Sequence, residues 1–199
     1  MLLKKNMARS VRGFTLTEAA IVLGIVGLLL GAIWVAAAAV YNNMRISTTT
    51  TQILQMAQAI RAIHATSQTI DDGVTAQDGA VLMARAGAVP KDMLDDALNP
   101  NSVTSVWNSE VTIEAAADTQ GNAGRAFRIT YTGVPQSACS DLLVRNTGAG
   151  RDTGLVSAGA NGAEVTRDNM PIGVTTAVQQ CNVTTTAGND VAFTFLLRT

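Results

Sequence analysis

The pattern of hydrophobic and polar positions divides the chain into an apolar stretch, a striped stretch and an irregular remainder. Residues 19–40 carry no charge and almost no polar group. A run of about 22 residues, at about 1.5 Å per residue, is long enough to cross a bilayer as a helix. Beyond Tyr41 the chain turns polar, yet Ile46, Ile53, Met56, Ile60 and Ile63 recur at spacings of seven, three, four and three residues. That is the stripe of an amphipathic helix, so the helix is expected to continue past the apolar run. Thr48-Thr49-Thr50-Thr51 has weak helix propensity and marks the place where the helix is expected to fray or bend.

Asp71-Asp72-Gly73 ends the helical pattern. A short helix is expected over residues 80–86, closed by Gly87 and Pro90, and a helical turn over 93–98, stopped by Asn99-Pro100-Asn101. Strand-like runs follow at 103–107, 110–115, 126–132 and 191–197, separated by Gly, Asn and Asp clusters, and an antiparallel sheet fits them better than a βαβ array. Residues 148–170 are rich in Gly, Ala and Asn and read as an exposed, variable surface.

Composition narrows the function. The 199 residues carry a formal net charge of −1 and only 15% charged side chains. No broad basic face is present, so no specific nucleic-acid partner is expected. Gly148, Gly150, Gly159 and Gly162 do not open a helix after a strand, so they read as turns and not as a phosphate loop. His64 is the only histidine, and the acids are scattered without the spacing of a calcium loop. No acid, base and nucleophile stand together, so neither an enzyme nor a cofactor is expected.

Lys4, Lys5, Arg9 and Arg12 precede the apolar run with no acid among them. The positive-inside bias then leaves the N-terminus in the cytoplasm and the bulk of the chain outside. Cys139 and Cys181 are the only cysteines, and in an oxidising compartment a lone pair is expected to form one disulfide. Closing a loop of roughly forty residues is worth about 4 kcal/mol in the chain-entropy account. A secretory signal peptide would share the basic start and apolar run, with Val35-Ala36-Ala37-Ala38-Ala39 as its exit. The length of the run and the carboxylate of Glu18 at its entrance speak against that reading.

The junction Gly13-Phe14-Thr15-Leu16-Thr17-Glu18 resembles the prepilin peptidase site of the type IV pilin family. The resemblance implies cleavage after Gly13 and N-methylation of Phe14 as the new first residue. Met1 and Met7 both remain open as the start of the leader. Glu18 also has a physical argument of its own. A carboxylate costs about 2.5–3.5 kcal/mol toward the centre of a membrane helix and is normally kept for a partner. Cleavage after Gly13 would create an α-ammonium at Phe14. In the family that amine meets the glutamate of a neighbouring subunit, so Phe14 and Glu18 are expected to set axial register more than stability. The plainer role of Glu18, an acid at the positive end of a helix dipole, coexists with this one. Gly24, Gly27 and Gly31 form a small-residue pattern suited to close helix packing in lipid.

Ala126-Phe127-Arg128-Ile129-Thr130, followed by Gln136-Ser137-Ala138-Cys139 and Leu142-Leu143, resembles the strand that leads into a cysteine-bearing helix in type IVb pilins. Cys181 followed by Val191-Ala192-Phe193 resembles their second cysteine and closing strand. The implied fold is α+β, a long N-terminal helical spine packed on an antiparallel β-sheet head with one disulfide. The implied divisions are a leader over 1–13, a transmembrane and assembly half-helix over 14–41, and an amphipathic half-helix over 42–70. An αβ-loop with short helices follows over 71–102, then a head over 103–199 that includes the disulfide-bounded region 139–181. The implied function is that of major structural subunit of a type IVb-like pilus used for adhesion, aggregation or conjugation. A minor pilin, a secretion-system pseudopilin and a non-polymeric secreted binding domain are the alternatives. The implied partners are copies of the chain in a helical filament, prepilin peptidase, inner-membrane assembly machinery, the bilayer before assembly, and a host or neighbouring-cell surface.

Overall fold

One helix, α1 (Leu16–Ile63), takes up both the apolar and the striped stretch without interruption. The computed structural model describes residues 15–70, 74–76 and 78–198. The chain divides into two compact units, one ending at Tyr41 and one beginning at Asn42. Within the second unit, α1 buries Ile46, Thr49, Gln52, Ile53, Met56, Ala57 and Ile60. Ile63 closes the helix but not the stripe, since it remains exposed. The four threonines do not interrupt the helix. Thr49 Oγ1 donates to the Arg45 carbonyl and Thr51 Oγ1 to that of Ser47, each at 3.0 Å, so their hydroxyls bond back into the helix they were expected to loosen.

The second unit is built on a five-stranded sheet of order β1-β2-β5-β3-β4, comprising β1 (Val111–Ala116), β2 (Ala126–Val134), β3 (Leu155–Ala160), β4 (Ala163–Thr166) and β5 (Asn189–Leu196). Every neighbouring pair is antiparallel. Three further helices are α2 (Gly79–Arg85), α3 (Gln136–Thr147) and α4 (Val174–Gln180), with 3₁₀ turns at Lys91–Met93 and Arg167–Asn169. Strict alternation in β2 sends Phe127, Ile129 and Tyr131 inward, where they join Ile53, Met56 and Ile60 of α1 and Leu142 and Leu143 of α3 in one core cluster. On the outward face Arg128 pairs with Glu114 of β1 at 3.5 Å and with Glu164 of β4, while Ser157 of β3 donates to Glu164 at 2.9 Å. That polar row crosses the sheet from edge to edge and supplies the cross-strand pairs that fix register.

Several sequence expectations change. The stretch 103–107 is not a strand. Val103 and Thr104 make only single bridges, to Leu94 and Glu110. The Ser105 hydroxyl takes up the Trp107 N–H and contacts Ser109 Oγ at 2.8 Å, and Asn108 adopts φ +59. Side-chain bonds here close a tight turn in place of a ladder. The helical turn expected over 93–98 is displaced to Lys91–Met93, because Leu94 is extended and bridges to Val103. The largest correction concerns residues 148–170, which hold the β3–β4 hairpin. β3 is buried along its whole length, between β5 and β4, and α3 and α4 both contact it. Gly159 is accordingly a strand residue, whereas Gly150 and Gly162, at φ +87 and +81, do make turns.

Two close approaches require glycine. At the irregularity in β2 between Tyr131 and Val134, a Cβ on Gly188 would lie 2.4 Å from the carbonyl carbon of Gly133. In β3, a Cβ on Gly159 would lie 1.7 Å from the Ala163 carbonyl oxygen. Gly159→Ala is therefore expected to destabilise the second unit by about 1–3 kcal/mol. Thermal unfolding of the full chain in detergent should show its Tm lowered by several degrees, and an unchanged Tm would contradict the buried placement of β3.

Candidate assembly helix and disulfide-bounded region

The first turn of α1 is capped by a reciprocal pair. Glu18 Oε2 accepts from the Thr15 N–H at 3.1 Å and from the Thr15 hydroxyl at 2.9 Å, and the Glu18 N–H donates to Thr15 Oγ1 at 3.3 Å. This is a capping box, with Thr15 and Glu18 satisfying donors that a helix start leaves open. The Thr-x-x-Glu spacing carried that signal in the sequence, and Thr15 is the residue that reasoning on Glu18 alone passed over. Gly13 and Phe14 lie outside the described residues.

From Leu16 to Tyr41 the helix exposes large apolar side chains at consecutive positions, with Ile21, Val22 and Leu23 at 63, 52 and 71%. Consecutive exposure means every face of the helix is apolar and uncovered, a state that water does not tolerate. By length and composition this helix is able to cross a membrane. Gly24, Gly27 and Gly31 lie along it, and among the described residues nothing comes within 4 Å of their Cβ positions.

In the second unit, Cys139 on α3 and Cys181 at the end of α4 form a disulfide with a Cα–Cα distance of 5.9 Å. Both residues are fully buried. The bridge spans 42 residues of sequence and brackets β3, β4 and α4. Two more links seat this region. Asn146 Nδ2 of α3 donates to Thr50 of α1 at 3.4 Å, and the Ile172 N–H donates to Thr147 Oγ1 at 3.0 Å. At the start of β5, Asn189 is fully buried. Its amide donates to the carbonyls of Val134 and Val183, at 3.2 and 2.9 Å, and its Oδ1 accepts from Val183 N–H and Asn161 Nδ2.

At the far end of β5, Arg61 of α1 holds both oxygens of Asp152 at 2.7 and 2.9 Å, donates to the Leu196 carbonyl at 2.9 Å, and lies 5.7 Å from the Phe195 ring centre. A bidentate, largely buried fork of this kind is among the stronger polar contacts available. Among the described residues no three His, Cys, Asp or Glu side chains gather as a metal site. His64 Nδ1 donates to the Ile60 carbonyl at 2.9 Å, one helical turn back.

Residues 43–196 match the family described as PilS N terminal. The chain belongs to the PilS family. Its fold is that of the type IVb pilin from Salmonella typhi, with 21% identity, a TM-score of 0.53, and coverage of 75% of this chain and 97% of that one. TcpA, a type IV pilin from the El Tor biotype of Vibrio cholerae, is also similar, at 14% identity, a TM-score of 0.50, and coverage of 76% of this chain and 98% of that one. None of the curated proteins matches the chain in sequence. The PilS matches agree with the type IVb features seen around the cysteines, namely the strand β2 that enters α3 and the bridge to Cys181.

The Arg61–Asp152 fork is expected to link the stability of this PilS head to pH. Hydrogen bonds from the Arg61 guanidinium hold the Asp152 carboxyl below the usual carboxylate range, aided by the Gly154 N–H and opposed by burial. A carboxyl lowered on folding contributes stability above its unfolded value of about 3.9, and that contribution is lost as pH falls toward the folded value. Asp152→Asn should therefore cost about 1–3 kcal/mol at pH 7 and progressively less below pH 4. Urea unfolding at pH 7 and at pH 3 measures both, and an equal loss at the two values would remove the charge argument.

Proposed function

We propose that this PilS-family chain is the major structural subunit of a type IVb pilus. It is cleaved after Gly13 by a prepilin peptidase, N-methylated at Phe14, and held in the inner membrane as a reservoir. It then polymerises through the first half of α1 into an extracellular filament used for adhesion, aggregation or conjugation. The observation that carries the reading is a helix apolar on every face up to Tyr41, joined to a head of PilS fold. Such a helix requires lipid before assembly and other copies of itself afterwards, since burial of apolar surface is the dominant cohesive term available to it once it leaves the bilayer. Gly24, Gly27 and Gly31 would allow neighbouring helices to approach closely in either setting.

Glu18 serves two partners in this scheme. Within the subunit it caps the helix through Thr15. Between subunits it is the carboxylate that the Phe14 ammonium of a neighbour would meet, which fixes axial register.

Gly13→Ser is expected to leave the chain at precursor size on a denaturing gel, and a mature-size band in that variant would sink the junction assignment. Glu18→Gln separates the two roles of Glu18, because the amide oxygen can still accept from the Thr15 N–H while the charge is lost. Processing of Glu18→Gln should be normal and its yield of sheared filaments reduced. Full piliation by this variant, with loss only in Glu18→Ala, would leave capping as the sole role.

A further inference from the structure

The turn between β3 and β4 is Asn161-Gly162, with φ +53 and +81. Two successive left-handed residues make the type I′ hairpin turn that an Asn-Gly pair favours. Asn161 is the only asparagine of the chain that glycine follows. Although the residue is exposed, its carboxamide is fully engaged. Nδ2 donates to the Gln180 carbonyl at 2.8 Å and to Asn189 Oδ1 at 2.9 Å, with Asn182 Oδ1 at 3.4 Å. Oδ1 accepts from the Asp190 N–H at 3.1 Å, and the Asn161 N–H donates to the Asp190 carbonyl at 2.8 Å. One side chain thus ties the hairpin turn to the end of α4, next to Cys181, and to the start of β5.

An Asn-Gly pair also carries a reaction. The glycine nitrogen can attack the asparagine Cγ, because glycine has no side chain to hinder the approach. A C–N bond forms, Nδ2 leaves as ammonia with the proton of the glycine N–H, and a succinimide ring remains. Water then breaks one of the two ring C–N bonds, giving aspartate or isoaspartate. In this corner the product is a poor replacement. Where Nδ2 donated to the Gln180 carbonyl and to Asn189 Oδ1, a carboxylate offers only acceptors. The Asn189 amide is not free to turn and supply a donor, since its Nδ2 is held by the carbonyls of Val134 and Val183 and the residue is fully buried. Asp190 adds a second negative charge beside the new one, and like charges at this range disfavour each other.

We propose that Asn161 is a self-modification site gated by the fold. Deamidation proceeds while the corner between the hairpin turn, α4 and β5 is open, and its product opposes closure of that corner. In the seated state the Asn161 carboxamide reaches Gly162 N only by giving up its bonds to Gln180, Asn189 and Asp190, so the reaction waits on local opening. In a chain whose β5 is not seated no such bonds restrain it. Loss of ammonia makes the change one-way, so the turn records time spent unseated. The inference stands on this corner alone and does not depend on the filament reading.

The test incubates the full chain at mildly alkaline pH, folded in detergent and unfolded in guanidinium chloride with the disulfide reduced. Trypsin releases residues 152–167, in which Asn161 is the only side-chain amide, so mass spectrometry reads its conversion directly and an isoaspartyl methyltransferase assay reads the isoaspartate. Conversion should be at least about tenfold slower in the folded chain, the equivalent of about 1.4 kcal/mol of local opening. Equal rates in the two states would overturn the gating. Gly162→Ala in the same guanidinium solution should convert more slowly than the unsubstituted chain, and an unchanged rate would remove the ring-closure route. Asn161→Asp copies the product, while Asn161→Gly deletes the side chain and keeps a residue suited to positive φ. The Tm of Asn161→Asp should fall below that of Asn161→Gly, and an equal or higher Tm would show that the carboxylate does not oppose closure and would overturn the second half of the proposal.

Discussion

The second unit depends on one insertion, that of β5 between β2 and β3. β5 pairs with β2 from Asn189 to Leu196 on one side and with β3 from Val191 to Phe195 on the other. Without it the sheet is two separate hairpin-like pieces, β1 with β2 and β3 with β4, each with a long unpaired edge. Both ends of β5 are accordingly fixed by buried polar groups, Asn189 at its start and Arg61 at the Leu196 carbonyl. Phe193 and Phe195 between them bring its apolar side chains into the common core. The disulfide is arranged around the same event. By tying α3 to α4 it holds the β3–β4 hairpin beside the gap that β5 fills, and it limits how far the intervening chain can stray in the unfolded state.

Much of this was legible in the sequence wherever a local period exists. The apolar run, the isoleucine stripe and the alternation in β1, β2 and β5 all report which side of an element faces the core. β3 has no such period, because Leu155–Ala160 is buried on both faces and built mostly of small residues. A strand of that kind looks like a Gly- and Ala-rich loop until its neighbours are known. β4 has only four residues, mostly exposed, and its pairing is fixed by Glu164 reaching Arg128 and Ser157. At Ser105, Val103, Thr104 and Val106 suggest a strand, whereas the serine hydroxyls decide the backbone. The Arg61–Asp152 fork joins residues 91 positions apart, so nothing local announces it. On the helix, by contrast, Thr15 and Glu18 stand three residues apart, and their mutual capping could have been read directly.

The two units answer to different solvents. From Asn42 onward the chain gathers most of its buried apolar groups in one cluster, and the Asn189 amide and the Arg61 guanidinium are bonded within it. From Leu16 to Val40 its large apolar side chains stay exposed. α1 carries both characters on one continuous backbone, and its polar threonine stretch lies just inside the second. There Thr50 meets α3 through Asn146, which gives that stretch a packing role in addition to its hydroxyl bonds.

The central position of β5 also has a consequence for the order in which the head is made. Its residues emerge from the ribosome after those of the other four strands, so the five-stranded sheet cannot close until nearly all of the head has been made. A chain stopped short of Asn189 would keep its apolar helix, yet would expose the facing edges of β2 and β3 to degradation and mispairing. The strand that completes the sheet is thus the one nearest the C-terminal end of the described chain, and the head is finished only when that strand is seated.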